Sequence, residues 1–307
     1  APFAQASGFF DRRPAEISLD DASQLSELIS LNLIIGNVAG GTATVFLTPE
    51  EFERVRARGL TVQWLPARDE QRTLAADGYP SYSEVTAQLR VYSDARPDIC
   101  RLESAGRSVQ GRELWWLKIT DRAAEEENEP EVHFIGTMHG DEPLGTVLSL
   151  RLIDYLISRY GSDERVTRLV DETEIWIMPV MNPDGMAAGS RFNAAGVDLN
   201  RDFPDPVHEP DAVTDGRQPE TVAVMRWAQA HTPVLAANFH TGTLVVNYPW
   251  DSDMDEDNAT EYEAAPDDAL FRFISGVYAS NNPLIMSGPF PEGITNGSNW
   301  YPIRGGM

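Results

Sequence analysis

A chain of 307 residues with 42% hydrophobic content can bury one large core and still leave length for a smaller unit. Its formal net charge of -24 repels phosphate at long range, which argues against nucleic acid and anionic lipid surfaces as partners. The longest apolar stretch, around 31–35, is far short of the roughly 20 residues that a membrane-spanning helix needs, so no span is expected.

Positions 1–75 read as a small α+β unit that resembles a prosegment in its place before the main domain. Residues 45–48 read as a strand, Thr48 and Glu51 form a capping-box pair around Pro49, and Gly59 follows the helix before a second strand at 60–65. The polar stretch 68–78 lacks strong periodicity and reads as a linker, so the main domain is expected over 76–307. There, 83–91 has helical periodicity, and 101–105 with 114–119 flank a glycine-containing turn as a hairpin. An acidic connection at 123–130 leads into strands at 132–136, 174–180 and 234–239, which alternate with helices at 143–159, 219–230 and 267–279. Alternation of this kind predicts an α/β fold with a mixed, largely parallel twisted sheet and helices on both faces.

The lone Cys100 excludes an internal disulfide framework and reads as a buried thiol. The chain opens on Ala1-Pro2, for which a removed export signal and a fragment boundary are alternative readings; the first makes a secreted or periplasmic location the expectation.

His139 and Glu142 follow the 132–136 strand, at the strand end where ligands collect in open α/β sheets. With two residues between them in a turn entering a helix, an imidazole and a carboxylate can converge on one cation, and His240, just after the 234–239 strand, could supply a third ligand. Two histidines and a glutamate leave a fourth tetrahedral position for water, the arrangement of catalytic zinc. The short spacing also arises by chance, with the histidines as packing residues. His133, His208 and His231 have no comparable partners in sequence and read as structural or surface residues.

Further motifs stand in a fixed order: Met181 to Gly185 (MNPDG), Arg191 to Pro204 (RFNAAGVDLNRDFP), Gln218 to Thr221 (QPET), Asn238 to His240 (NFH) and Gly293 to Tyr301 (GITNGSNWY). In this the chain resembles the zinc metallocarboxypeptidases, and within them the regulatory carboxypeptidase D, N and E type, from about Tyr79 to Met307. The resemblance implies one zinc ion held by His139, Glu142 and His240, and exopeptidase action on peptide or protein C-termini. It makes Arg191 the oxyanion stabiliser, Asn200 and Arg201 the holders of the substrate's terminal carboxylate, and Tyr301 the residue that closes over bound substrate. It also puts Asp251 at the base of the side-chain pocket, where a carboxylate selects Arg or Lys. The segment Asn182 to Gly185 reads as a tight turn without chemistry.

Asp251 begins an acidic run that also admits a calcium reading, but an EF-hand's glycine and terminal glutamate are missing, which favours a solvated loop. The family's general base, a glutamate on a later strand, is not reached before Met307, so a second polypeptide carrying it is one expectation. Two other functions remain open: a related zinc amidase or deacylase, and a non-catalytic protein that binds zinc and peptide.

Overall fold

The computed structural model describes residues 12–31, 33–65, 78–209, 211–255, 257 and 259–307; the expected linker at 68–78 falls outside them except for Gly78. The chain divides into two compact units, one drawn from 1–70, 204–213 and 242–307, the other from 71–203 and 214–241.

The first unit begins with β1 (Arg13–Ser18), α1 (Ala22–Ser30), β2 (Ile34–Ala39), β3 (Thr42–Leu47), α2 (Pro49–Ala57) and β4 (Thr61–Trp64). Its strands pair antiparallel in the order β2-β3-β1-β4. Alternation in β3 sends Ala43, Val45 and Leu47 inward, where they meet Ile17, Leu28 and Val55. The capping box read from Thr48 and Glu51 is present at the start of α2. Sequence reading missed β1, α1 and β2. The β2–β3 hairpin turns on Gly40 and Gly41, both at positive φ, which is what a two-residue turn matched to strand twist requires.

The second unit carries α3 (Tyr82–Ala95), β5 (Cys100–Arg107), β6 (Glu113–Ile119), β7 (Glu131–Gly136), α4 (Leu144–Arg159), α5 (Glu164–Glu172), β8 (Glu174–Met178), α6 (Pro183–Ala188), α7 (Pro219–His231) and β9 (Leu235–Phe239). The expected mixed α/β sheet is present in the order β5-β6-β8-β7-β9. The β7–β8 and β7–β9 pairings are parallel, whereas β5–β6 and β6–β8 are antiparallel. Successive residues serve opposite faces. Leu117, Ile119, Ile175 and Ile177 pack with Val85 and Leu89 of α3, Ile153 and Leu156 of α4, and Val166 and Val170 of α5. Trp116, Ile135, Trp176 and Met178 pack on the other side with Val224 and Met225 of α7.

Two local readings change. Helix α5, capped by Asp163, adds a helix that the sequence reading lacks. The segment Asn182 to Gly185 is not a plain turn: Asn182 caps α6 by accepting from Gly185 N, and Asp184 is buried, accepting from Ser108 Oγ and Arg112 Nη1. A proline at the first helical position fits both a turn and a helix start.

The remainder of the first unit holds β10 (Val246–Tyr248), α8 (Asp268–Ser280), α9 (Pro283–Met286), β11 (Ile294–Asn296) and α10 (Gly297–Trp300), with β10 and β11 paired in parallel. Trp300 Nε1 donates to Val38 O at 2.7 Å, and Tyr301 packs on the hydrophobic cluster of the β1–β4 sheet. No helix among the described residues is long and apolar enough to cross a membrane.

Candidate metal centre

Parallel register builds the site. Gly136, the last residue of β7, pairs with Phe239, the last of β9, so the turn that follows β7 and the residue after β9 emerge at one end of the sheet. That turn carries His139 and Glu142, and the residue after β9 is His240. The turn is held on three sides. Asn182 N donates to Thr137 O at 3.0 Å, and Thr137 Oγ1 donates to Glu142 O at 3.1 Å. These bonds hold Thr137 at φ +49°, a region unfavourable for a β-branched residue. Gly140 backs directly onto α6, where an added Cβ would lie 2.0 Å from Gly185 C. Hence Gly140 lets the turn lie against α6, while an added Cβ on Gly185 would meet Asn182 Nδ2 and Phe192 O instead.

Glu142 Oε1 lies 2.9 Å from His139 Nδ1, Glu142 Oε2 lies 3.0 Å from His240 Nδ1, and the two imidazole nitrogens are 3.2 Å apart. His139 is 2% exposed. Arg191 is buried beside it, with Nη1 3.2 Å from His139 Nδ1 and 3.5 Å from Glu142 Oε1. The donor set fits one small cation. Ligands about 2.0–2.1 Å from a tetrahedral ion stand roughly 3.3 Å from one another, which is the spacing of the two nitrogens here.

Asp198, which sequence reading passed over, organises this cluster. Its Oδ1 lies 3.1 Å from His139 Nε2 and its Oδ2 accepts from Arg191 Nε at 2.9 Å. It also caps the turn Leu199–Arg201 by accepting from Asn200 N. The signal available in sequence was an aspartate between two arginines of one motif, but nothing there aims it at His139. Charge follows from these contacts. Burial alone would raise the Asp198 carboxyl, but Arg191 and His139 hold it well below the carboxylate range. Burial would likewise raise Glu142, yet His139 and His240 hold it far below its usual value. For His139, burial and Arg191 press downward, while Asp198 and Glu142 outweigh them and raise it.

Asn200 and Arg201 follow Asp198 in the same unit, with Arg201 Nη1 donating to Asn200 O at 2.7 Å. Asp251 and Tyr301 belong to the first unit. There Asn247 Nδ2 donates to Asp251 Oδ1 at 2.8 Å and Ile303 N to Asp251 O at 2.7 Å. An added Cβ on Gly297 would fall 1.4 Å from Asp251 Oδ1, so glycine is required for the carboxylate to lie where it does. Asp251 is half-buried, not enclosed. In the acidic run, Asp253, Asp255 and Asp257 approach one another; Asp255 and Asp257 are exposed, whereas Asp253 is buried.

A family model described as zinc carboxypeptidase matches residues 85–307. The chain belongs to the zinc carboxypeptidase family. Among its relatives, carboxypeptidase SOL1 of Arabidopsis thaliana is 42% identical over 75% of this chain and 47% of its own length. Carboxypeptidase D of Homo sapiens is 43% identical over 71% of this chain and 17% of its own length. The chain thus spans about half of the first relative and about a sixth of the second. The carboxypeptidase A structure from Helicoverpa armigera aligns with a TM-score of 0.74 at 17% identity, covering 97% of this chain and 84% of its own, which shows the shared fold. A member of this family takes one zinc ion. Of four side-chain groups among the described residues able to surround a cation, the one holding His139, Glu142 and His240 is the only one with nitrogen donors, the ligand type that suits zinc.

Proposed function

We propose that this zinc carboxypeptidase family member hydrolyses the C-terminal peptide bond of peptides and prefers to release Arg or Lys. The observation that carries the reading is the convergence of His139, Glu142 and His240 with Arg191 alongside, His139 and Arg191 both being held by buried Asp198. In this reading His139, Glu142 and His240 hold the metal, which when bound polarises the scissile carbonyl and acidifies its water. Arg191, already oriented by Asp198, sets a fixed cation where negative charge develops on the carbonyl oxygen, an interaction stronger in the transition state than in the ground state.

Asn200 and Arg201 are assigned to the substrate's terminal carboxylate. A guanidinium meets both carboxylate oxygens with charge-assisted bonds, which restricts action to a free C-terminus. Tyr301 is assigned to closing over the substrate, and Asp251 to pairing with its basic side chain. An apolar side chain would leave the Asp251 carboxylate without that partner, and the loss disfavours it.

The test compares release of C-terminal Arg and Phe from matched peptides, with and without a zinc chelator. Faster release of Arg, abolished by the chelator, is expected. Preference for Phe would sink the role of Asp251, and cleavage indifferent to the chelator would sink that of the metal. Tight peptide binding without turnover would favour a binding protein instead.

A further inference from the structure

The segment that carries Arg191, Asp198, Asn200 and Arg201 has no regular structure beyond the single turn Leu199–Arg201, so contacts from outside must set where those side chains stand. Three anchors fasten it. At its start, Asn182 Nδ2 donates to Arg191 O at 3.3 Å. At its end, Gln218 N donates to Asp202 Oδ2 at 2.8 Å and Arg217 Nη1 to Asp202 O at 2.6 Å. Between them stands Asn193, which is buried and whose Oδ1 accepts from the N–H groups of Ala195 and Val197, both at 3.0 Å. With its oxygen committed inside the loop, Asn193 reaches out through Nδ2, which donates to Gln218 Oε1 at 2.9 Å and to Glu220 Oε2 at 3.2 Å.

Glu220 lies in the first turn of α7 and is fully buried, with no ion-pair partner among the described residues. Its Oε1 accepts from Val109 N, in the β5–β6 connection, at 3.2 Å. Burial raises the Glu220 carboxyl; its own N–H, that of Val109 and the Asn193 amide oppose the rise, and Asp184 adds to it. An acidic group supports a helix start equally well from the surface, where its charge costs little. A carboxylate sunk at this position, with each oxygen taking a donor from a different loop, is a costly way to cap a helix and an effective way to hold two loops.

We propose that Glu220 is a positioning residue for the peptidase reaction: through Asn193 it sets the 191–202 loop, and with it Arg191 and the carboxylate clamp of Asn200 and Arg201. The inference rests on the function proposed above. It also joins two motifs of the sequence, Gln218 to Thr221 and Arg191 to Pro204, through one buried amide.

Glu220→Gln keeps the side-chain shape but replaces one acceptor by an N–H2 group, which must then face either Val109 N or Asn193 Nδ2, donor against donor. Adding Asn193→Asp reverses the bond, because the glutamine amide donates to one aspartate oxygen while the other still accepts from Ala195 and Val197. Zinc-loaded full-length chains are compared for kcat and KM on a peptide ending in Arg, for zinc affinity by competition with a chromophoric chelator, and for Tm. Well below its Tm, Glu220→Gln should lose about tenfold or more in kcat/KM, through a lower kcat and a higher KM together, since the loop carries both Arg191 and the clamp. Its zinc affinity should fall by about tenfold, because Asp198 rides on the same loop. The double variant should recover most of both losses, beyond what the two single variants add up to. The proposal is overturned if Glu220→Gln lowers Tm but leaves kcat, KM and zinc affinity unchanged, which would make Glu220 a support of α7 alone, or if the double variant is no better than the worse single one. Gln218→Met, which removes the other acceptor of Asn193 without touching the charge, is the second variant should Glu220→Gln fail to fold; a loss in the same direction is expected, and unchanged kinetics and zinc affinity overturn the proposal. Should the unmodified protein release no C-terminal residue, the proposed function fails by itself, and the zinc affinities still decide whether Glu220 sets the loop.

Discussion

Asp198 Oδ1 lies 3.1 Å from His139 Nε2, on the side of the imidazole away from Glu142. A carboxylate there keeps the proton on Nε2 and leaves the Nδ1 lone pair for a metal. Asp198→Asn should therefore weaken zinc binding by about 10–100-fold, the usual loss for such a supporting partner. Competition with a chromophoric chelator measures it. Unchanged affinity would show that the turn alone orients His139.

The same carboxylate holds Arg191 Nε at 2.9 Å, which points the guanidinium at the proposed reaction centre. Arg191→Ala should lower kcat by about 10²–10³-fold with little change in KM, as expected for a group that acts on developing charge. Zinc content should stay at one ion per chain. A rise in KM with kcat intact would instead make Arg191 a ground-state binding group.

Much of this was legible in the sequence, and the reason is physical. Strand β8 announces itself because both of its faces are buried, which requires a continuous apolar run, whereas β9 is exposed at Leu235 and Ala236 and is marked mainly by its place after a helix; the parallel order of β7, β8 and β9 follows from the helices between them. His139, Glu142 and His240 follow strand ends, so sequence position alone nearly fixes their convergence. What escaped notice depends on contacts between distant residues. Asp198 earns its role from His139, 59 positions away. Gly140 matters because the backbone of Gly185 lies against it, a contact 45 positions apart that no local pattern reveals. In the first unit, β1 is short and its Ala15 and Ile17 alternate with polar residues, too weak a pattern to stand out before its partners are known.

Gly297 gives a test of the proposed specificity without altering the carboxylate. Because an added Cβ would fall 1.4 Å from Asp251 Oδ1, Gly297→Ala must displace that side chain from its bond with Asn247. The ratio of kcat/KM for Arg over Phe peptides is expected to fall by about tenfold or more, while Phe release changes little. Should both substrates suffer equally, the substitution has damaged the fold of the 246–301 region, and Asp251 loses its claim to selectivity.

Acid stability should carry a distinct mark from the far end of β7. Glu131 Oε2 lies 3.2 Å from His133 Nε2 and 3.3 Å from His231 Nδ1. Burial, then the Glu174 and Glu126 carboxylates, push Glu131 up to about 7. Burial, then His231, push His133 down to about 4. The signs are opposite. Glu131 binds its proton more tightly in the folded chain, so its contribution is present below its ordinary value of 4.5 and is lost as pH rises through about 7. His133 binds its proton less tightly when folded, so its contribution is present above 6.5 and is lost as pH falls toward about 4. In the unmodified protein the two slopes oppose each other across the shared window. Glu131→Gln removes one of them. The difference in Tm, variant minus unmodified protein, should then grow more positive as pH rises from about 4.5 to 7 and level off above, because the unmodified chain alone must ionise a crowded, partly buried carboxyl. Melting both proteins across that range decides the matter: a difference that shrinks with rising pH would mean that His133 and His231 stabilise the Glu131 anion more than burial and its carboxylate neighbours oppose it.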